Sequence, residues 1–444
     1  MIKNRAALER FHGKQSSLVL SALEAAIKSV DPGALVKKSL SYSRGTLVAR
    51  NITGKNFKID KFNSIYIVGA GKASAAMTAA LVSVLKGRIT GGTINVPRGT
   101  EVNNIDRISI IHASHPVPDD EGARGTRKII SILEKAETKD LVIMVISGGG
   151  SALMPLPAKG LTLKDKQEAT SALLASGATI HEINSVRKHL SAVKGGQLAR
   201  YTKSRVLSLV LSDVIGDDLA VIASGPTFPD STAFSDAQQV LEKYGITDTR
   251  AARHVARGAR GLIRETPKPG DPIFRRVANV LVGNNELACK SASCYLRRKN
   301  VRTEFLGSGF DGEARDFGAF LAKLAGDIKS KSPFALVAGG ETTVKLGKTS
   351  GKGGRNQEAA LTCALCRVKA VAAFLGTDGI DGNSDAAGAL VSGKSAALAE
   401  KISAKTYLVR HDSYRALKKM GSLIFTGYTG TNVNDIAIIY KDGQ

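Results

Sequence analysis

Tryptophan is absent from this 444-residue chain and aromatic residues make up only 5% of it. Proteins that grip single-stranded nucleic acid stack bases on aromatic platforms, and few are available here. No apolar run approaches the roughly 20 residues of a membrane-spanning helix. The opening segment MIKNRAALERF is charged and lacks the apolar core of a signal peptide, so a cytoplasmic protein with no membrane contact is expected. Cysteine is scarce: Cys289, Cys294, Cys363 and Cys366 are the four present. Cys363 and Cys366 form a C-x-x-C inside the apolar helical run AALTCALC, without a second pair of matching spacing, which favours core thiols over zinc or redox chemistry.

Two nucleotide signatures are also missing. No G-x-x-x-x-G-K-[ST] loop occurs. The stretch SIYIVGAGKAS, Ser64 to Ser74, comes nearest to a dinucleotide fingerprint, but Ser74 stands at the third glycine position. The following strand, Thr93 to Val96, runs into Pro97 and Arg98 rather than the acid that would hold an NAD ribose.

What is there is a soluble composition of 43% hydrophobic residues with a formal net charge of +24. The basic residues are spread along the chain, which suits anionic metabolites better than a nucleic-acid groove. The length allows two or three domains. Strand and helix patterns alternate through most of the sequence, predicting α/β architecture around a mostly parallel sheet with helices on both faces. The segment Val36 to Asp60 suits short strands and turns. TPKPGDP, with Pro267, Pro269, Gly270 and Pro272, reads as the linker. The predicted division is therefore an N-terminal Rossmann-like domain over 1–265, a linker over 266–274, and a smaller α/β domain over 275–444.

Within that framework the chemistry-bearing segments are loops after strands. Ile65 to Val68 is a buried strand that turns at Gly69 and Gly71 into a small-residue helix. Backbone N–H groups at such a helix start, with Lys72 beside them, suit an anion. SGGGSAL, Ser147 to Leu153, follows the apolar strand Leu141 to Ile146, and its glycines allow close backbone approach to a ligand. The segment NSVRKHLSAVKGG, Asn184 to Gly196, reads as a basic helix with mostly solvated charges, His189 being a surface or capping residue. SDVIGDD places Asp213, Asp217 and Asp218 at a strand end, where a hydrated Mg²⁺ would find one or two carboxylates. Further on, GGETTVKLGKTSGKGGRNQE supplies Gly339, Gly340, Gly347, Gly351, Gly353 and Gly354 ahead of Arg355 and a helix, a second anion-binding helix start. GTDGIDG then brings Asp378 and Asp381.

Taken together, VGAGKA, SHPVPD, SGGGSAL, NSVRKHLSAVKGGQLA, SDVIGDD, ASGPT, GGETTV, GGRNQE, GTDGIDG and TGTNVND resemble the type II glycerate kinases, the glycerate 2-kinases with a MOFRL C-terminal domain. The resemblance runs in order from about Leu18 to nearly the end; Asn383, Ser384 and Tyr428 depart from the family's usual residues. It implies two α/β domains with an active site in the cleft between them, and ATP-dependent phosphorylation of D-glycerate at the 2-hydroxyl, with Mg²⁺. The family's catalytic pair maps onto Lys72 and Arg355. Substrate contacts are assigned to Ser147, Gly148, Gly149, Gly150, Ser151 and Arg187. Nucleotide contacts are assigned to Gly71, Gly339, Gly340, Glu341, Gly354, Asn356 and Asp378, and metal to Asp213 and Asp378. Small-molecule partners are expected, with a homodimer left open. The competing readings are an NAD(P)H-dependent hydroxypyruvate reductase and a basic nucleic-acid-binding protein.

Overall fold

The computed structural model describes residues 1–347, 351–367 and 369–443 and divides into two compact units. One is Pro32–Gly283; the other joins Met1–Asp31 to Asn284–Gln444.

The first unit begins with a small antiparallel sheet of β1 (Leu40–Ser43), β2 (Thr46–Arg50) and β3 (Asn56–Ile59), which accounts for the short-strand pattern of that region. Its main sheet holds six strands: β4 (Ile65–Ala70), β5 (Ile89–Pro97), β6 (Ile108–Ala113), β7 (Leu141–Ile146), β8 (Arg205–Leu211) and β9 (Val277–Gly283). They lie in the order β6-β5-β4-β7-β8-β9, every neighbour parallel. Counted along the chain that is third, second, first, fourth, fifth, sixth, the doubly wound order whose direction reverses between the first and fourth strands. All six residues of β7 are buried, as a parallel strand covered on both faces requires. Val68, Met144, Val142 and Ile146 pack with Ile129, Leu133 and Leu153 in one continuous core.

The second unit is built on a mixed sheet, β10 (Arg302–Phe310), β11 (Phe334–Gly340), β12 (Val371–Gly376), β13 (Gly388–Val391), β14 (Leu423–Ile424) and β15 (Asp435–Lys441). The order is β10-β11-β15-β12-β13-β14, so the last strand of the chain lies inside the sheet, antiparallel to both neighbours. Its core is led by Phe374, Leu336, Ala360, Cys363 and Ile439.

The domain boundaries differ from the sequence expectation at both ends. Residues 1–31 belong to the second unit. Val19, Leu20, Leu23 and Ile27 of helix Lys14–Ser29 are buried. Ser291 Oγ donates to the Ala25 carbonyl at 3.2 Å, Thr431 Oγ1 to the Val30 carbonyl at 2.8 Å, and the Lys3 amide to the Phe425 carbonyl at 2.7 Å. The proline-rich stretch 266–274 is no linker. Thr266 is buried with its hydroxyl on Asp230 at 3.0 Å, and β9 follows as the sixth strand of the parallel sheet, so the division falls after Gly283. Proline there shapes a surface return rather than separating two cores.

Of the cysteines, Cys289 and Cys363 are core thiols, burial pushing Cys289 up to about 12, whereas Cys294 and Cys366 are exposed. Among the described residues no helix is long and apolar enough to cross a membrane.

Candidate active site

In the parallel-sheet unit the two glycine loops singled out in the sequence meet. Ala70 pairs with Ile146, so Gly71–Ala73 and Ser147–Ser151 leave the sheet side by side at its carboxyl edge, where the winding direction reverses. They are bonded to each other. The Lys72 amide donates to the Gly148 carbonyl at 2.8 Å, and the Ala73 amide to Ser147 Oγ at 2.9 Å. This corrects one expectation: the first amides of the helix start are satisfied by the neighbouring loop. The side chain of Lys72 is half-buried at this turn.

Gly71 is a packing glycine. A Cβ there would lie 2.1 Å from Ser147 Oγ, and its φ is +147°. Gly71→Ala should therefore force the loops apart and cost about 2–3 kcal/mol by overpacking, seen as a lower denaturant midpoint at unchanged m. A midpoint equal to that of the parent would mean the loops part freely.

His115 stands at the mouth, its ring against Gly149, where a Cβ would meet His115 Nε2 at 3.0 Å and Lys72 Cγ at 3.5 Å. Burial of the ring and then the Lys72 charge push its pKa below the usual value. Ser151 Oγ shares a hydrogen bond with Ser224 Oγ at 2.9 Å, and Ser224 Oγ donates to Asn184 Oδ1 at 3.1 Å. Ala223 and Ser224 both have positive φ, 50° and 59°, a strained pair that turns the Ser224 hydroxyl toward Ser151.

The basic segment is not solvated as expected. Helix Ile180–His189 places Lys188 and His189 inside, and Lys194 follows, also buried. Lys188 pairs with Asp230 at 3.2 Å, and His189 holds the Ser185 carbonyl at 2.7 Å and Glu265 at 2.9 Å. His189 is thus a partnered interior residue, not a surface cap. Arg187 is half-buried on the same helix. Asp213 lies two residues beyond β8.

In the mixed-sheet unit the assigned residues gather at one edge because Gly340 and Gly376 both pair with Asp435. Arg355, first residue of helix Arg355–Leu365, donates from Nε to Asp435 Oδ2 at 2.6 Å, from Nη2 to Asp435 Oδ1 at 3.2 Å and from Nη1 to Glu341 Oε1 at 3.0 Å. Burial works against the guanidinium charge, but Asp435 and Glu341 outweigh it and hold the pKa above the ordinary arginine value. Burial pushes Asp435 up to about 7 against the pull of Arg355, yet the forked geometry is that of an ionised carboxylate.

The carboxylate of Asp381 occupies the amides of this second anion-binding helix start. Asp381 Oδ1 accepts the Asn356 amide at 3.1 Å and Oδ2 the Gln357 amide at 2.9 Å. Asn356 Nδ2 also donates to Asp435 Oδ1 at 2.9 Å. Gly354 lets the Asp381 loop approach, since a Cβ there would be 2.4 Å from Asp381 Cγ. Gly339 and Gly340 likewise have packing reasons: a Cβ would meet Asn285 Oδ1 and the Phe310 carbonyl oxygen, each at 1.9 Å. Asp378 directs Oδ1 to the Ile380 amide at 3.2 Å, one turn beyond β12. Lys348, Thr349 and Ser350 of the glycine-rich loop lie outside the described residues. Among those described, no group of three or more His, Cys, Asp or Glu side chains is placed to hold a metal ion.

Sequence reasoning missed Asp435, His115, Ser224, Asn184 and the roles of Asp381 and Lys194. The signal for Asp381 and Asp435 was available as acids in GTDGIDG and TGTNVND; their partners, Asn356 and Gln357 for Asp381 and Arg355 for Asp435, lie too far away in sequence to be matched without the fold.

Two families match the chain, one described as a domain of unknown function, DUF4147, over residues 18–257 and the MOFRL family over 334–435. A glycerate 2-kinase of Pyrococcus horikoshii is 40% identical over 425 residues, covering 93% of this chain and 94% of that protein. A D-glycerate 2-kinase of Thermotoga maritima is 42% identical over 388 residues, covering 84% and 90%. The crystal structure of a glycerate kinase from Thermotoga maritima superposes with a TM-score of 0.83 at 38% identity, covering 95% of this chain and 98% of that one. Matched in both halves and along nearly its whole length, the chain belongs to the glycerate 2-kinases of the MOFRL family.

Proposed function

We infer that this chain transfers a phosphoryl group from ATP to the 2-hydroxyl of D-glycerate, giving 2-phosphoglycerate. The observation that carries the reading is kinship at 40% identity across 93% of the chain with a glycerate 2-kinase. The loops support it. Phosphoryl transfer asks the protein mainly for positioning and for cations near the charge in flight.

Lys72 neutralises charge on the substrate and the moving phosphoryl, and the loop from Ser147 to Ser151 supplies hydrogen bonds to glycerate. Arg355 acts in the same turnover. Its fork on Asp435 and its third contact on Glu341 hold the guanidinium in one orientation, so little rotamer entropy is lost when it meets phosphate. Gly71, Gly339, Gly340, Glu341, Gly354, Asn356 and Asp378 are the proposed nucleotide contacts. Mg²⁺ enters with ATP as part of the substrate complex. Such an ion needs only one or two protein carboxylates, and Asp213 or Asp378 is the candidate.

A reductase is less supported. The hydroxyl of Ser74 is spent on the Gly71 and Asn95 carbonyls at 2.8 and 3.1 Å, and the Lys72 and Ala73 amides are taken by the second loop. That leaves no pyrophosphate cradle of the dinucleotide type. Nor does any observation favour nucleic acid as a partner.

The test is regiochemical. Enolase should convert the fresh product of D-glycerate and Mg-ATP directly. A product that enolase accepts only after phosphoglycerate mutase is added would be the 3-phosphate and would overturn the assignment.

A further inference from the structure

Among the described residues, a group of cations in the parallel-sheet unit is bonded to no acid. Lys194 is 2% exposed, and its Nζ donates to the Ser151 carbonyl at 2.9 Å, to Ser151 Oγ at 2.7 Å and toward the Ala223 carbonyl at 3.5 Å. Lys166 is 7% exposed and donates to the carbonyls of Pro155 at 2.9 Å and Leu156 at 3.4 Å. Arg187 forms no hydrogen bond or ion pair with any other described residue. The acid of this region, Asp230, is fully occupied by Lys188 at 3.2 Å and by the hydroxyls of Thr232 at 2.8 Å and Thr266 at 3.0 Å.

The three cations feel one another. Burial, then Lys166 and Arg187, push Lys194 well below the ordinary lysine value; burial, then Arg187, bring Lys166 down to about 7. Three oxygen acceptors around Lys194 still suit an ammonium with three donors. A buried ammonium satisfied only by neutral oxygens is costly unless an anion completes it. Carbonyl bonds alone could serve packing, but packing gives no reason for a guanidinium left unmatched beside them. The attached loop is the one that holds Ser151.

We propose that Arg187, backed by Lys194 and Lys166, forms the subsite for the substrate's carboxylate, and that Lys194 positions Ser151 to face it. This rests on the glycerate reading and deepens it. The carboxylate supplies the missing negative charge, so an uncharged triol of the same size is rejected. Its arrival also favours the ammonium form of Lys166, so binding above neutral pH draws a proton from the buffer.

The full-length enzyme tests this in sequence. Wild-type turnover of D-glycerate is measured first; its failure would defeat the parent reading and not the subsite. Arg187→Gln should then raise KM for D-glycerate about 10–100-fold, leave KM for ATP within about twofold, and narrow the preference for glycerate over glycerol, as loss of a charge-assisted fork predicts. Lys194→Met should lower kcat as well, because Ser151 loses its holder. Calorimetry of wild-type protein with D-glycerate at pH 8, in two buffers of different ionisation enthalpy, should give net proton uptake, and glycerol none; this readout stands even if Lys194→Met does not fold. An active Arg187→Gln enzyme with unchanged KM for glycerate, a loss falling on ATP instead, or binding without proton uptake would each overturn the subsite.

Discussion

Lys72→Ala should lower kcat for D-glycerate phosphorylation about 10²–10³-fold, the scale on which loss of one donor aimed at developing charge is felt in a water-poor site. The melting temperature should move by only about 2 °C. The half-buried side chain spans Gly149 at the mouth of the paired loops, and the loops are fastened by backbone and serine bonds that alanine keeps, the Lys72 amide to Gly148 and the Ala73 amide to Ser147. Lys72→Arg should recover little, since a planar fork does not replace a compact ammonium at the same place. Steady-state kinetics beside a thermal melt decide it. Near-parental turnover in the alanine variant would remove Lys72 from the reaction, and a melt many degrees lower would make it a structural residue.

The second large effect concerns stability. Asp381→Ala should destabilise the protein by about 3–5 kcal/mol, the cost of stranding several buried donors at once. Its carboxylate is 2% exposed and receives the amides of Asn356 and Gln357 and the side-chain amides of both, all within 3.2 Å. Burial raises its pKa, while those hydrogen bonds and then Arg355 pull it back down. Asp381→Asn should cost less, because one oxygen remains, but the new NH₂ must face donors. Arg355 begins the helix that Asp381 caps, so activity should fall with stability in the alanine variant. Chemical denaturation monitored alongside turnover checks both; a midpoint unchanged in Asp381→Ala would mean that water satisfies the helix start.

The parallel sheet was legible because its strands are buried on both faces and read as unbroken apolar runs such as LVIMVI, Leu141–Ile146. The paired loops were legible because glycines follow those runs at once. What sequence could not give was which anion each helix start receives. A glycine-rich turn before a helix reads the same whether phosphate or a distant aspartate fills it, and only the folded GTDGIDG loop, which brings Asp381 onto the Asn356 and Gln357 amides, tells them apart. Burial of Lys188, His189 and Lys194 was hidden for a related reason: a basic run looks solvated until its partners, Asp230, Glu265 and Ser151, arrive from other segments. The proline-rich stretch misled because proline marks a turn without saying whether the chain comes back, and here it returns as β9.

The membership of residues 1–31 in the second unit has a consequence for biosynthesis. The chain starts in that unit, leaves it for Pro32–Gly283, and comes back. On the ribosome, the parallel-sheet unit is complete before any strand of the mixed sheet has been made. The other unit then waits for β15, an interior strand that follows every other strand of its sheet in the sequence. Domains that fold as units during synthesis do so in the order they are finished, so the nascent protein holds one mature half and one apolar, unassembled half. Asp435, which orients Arg355, opens that final strand. A nascent chain truncated shortly before it would therefore have the lysine loop folded and the arginine without its carboxylate.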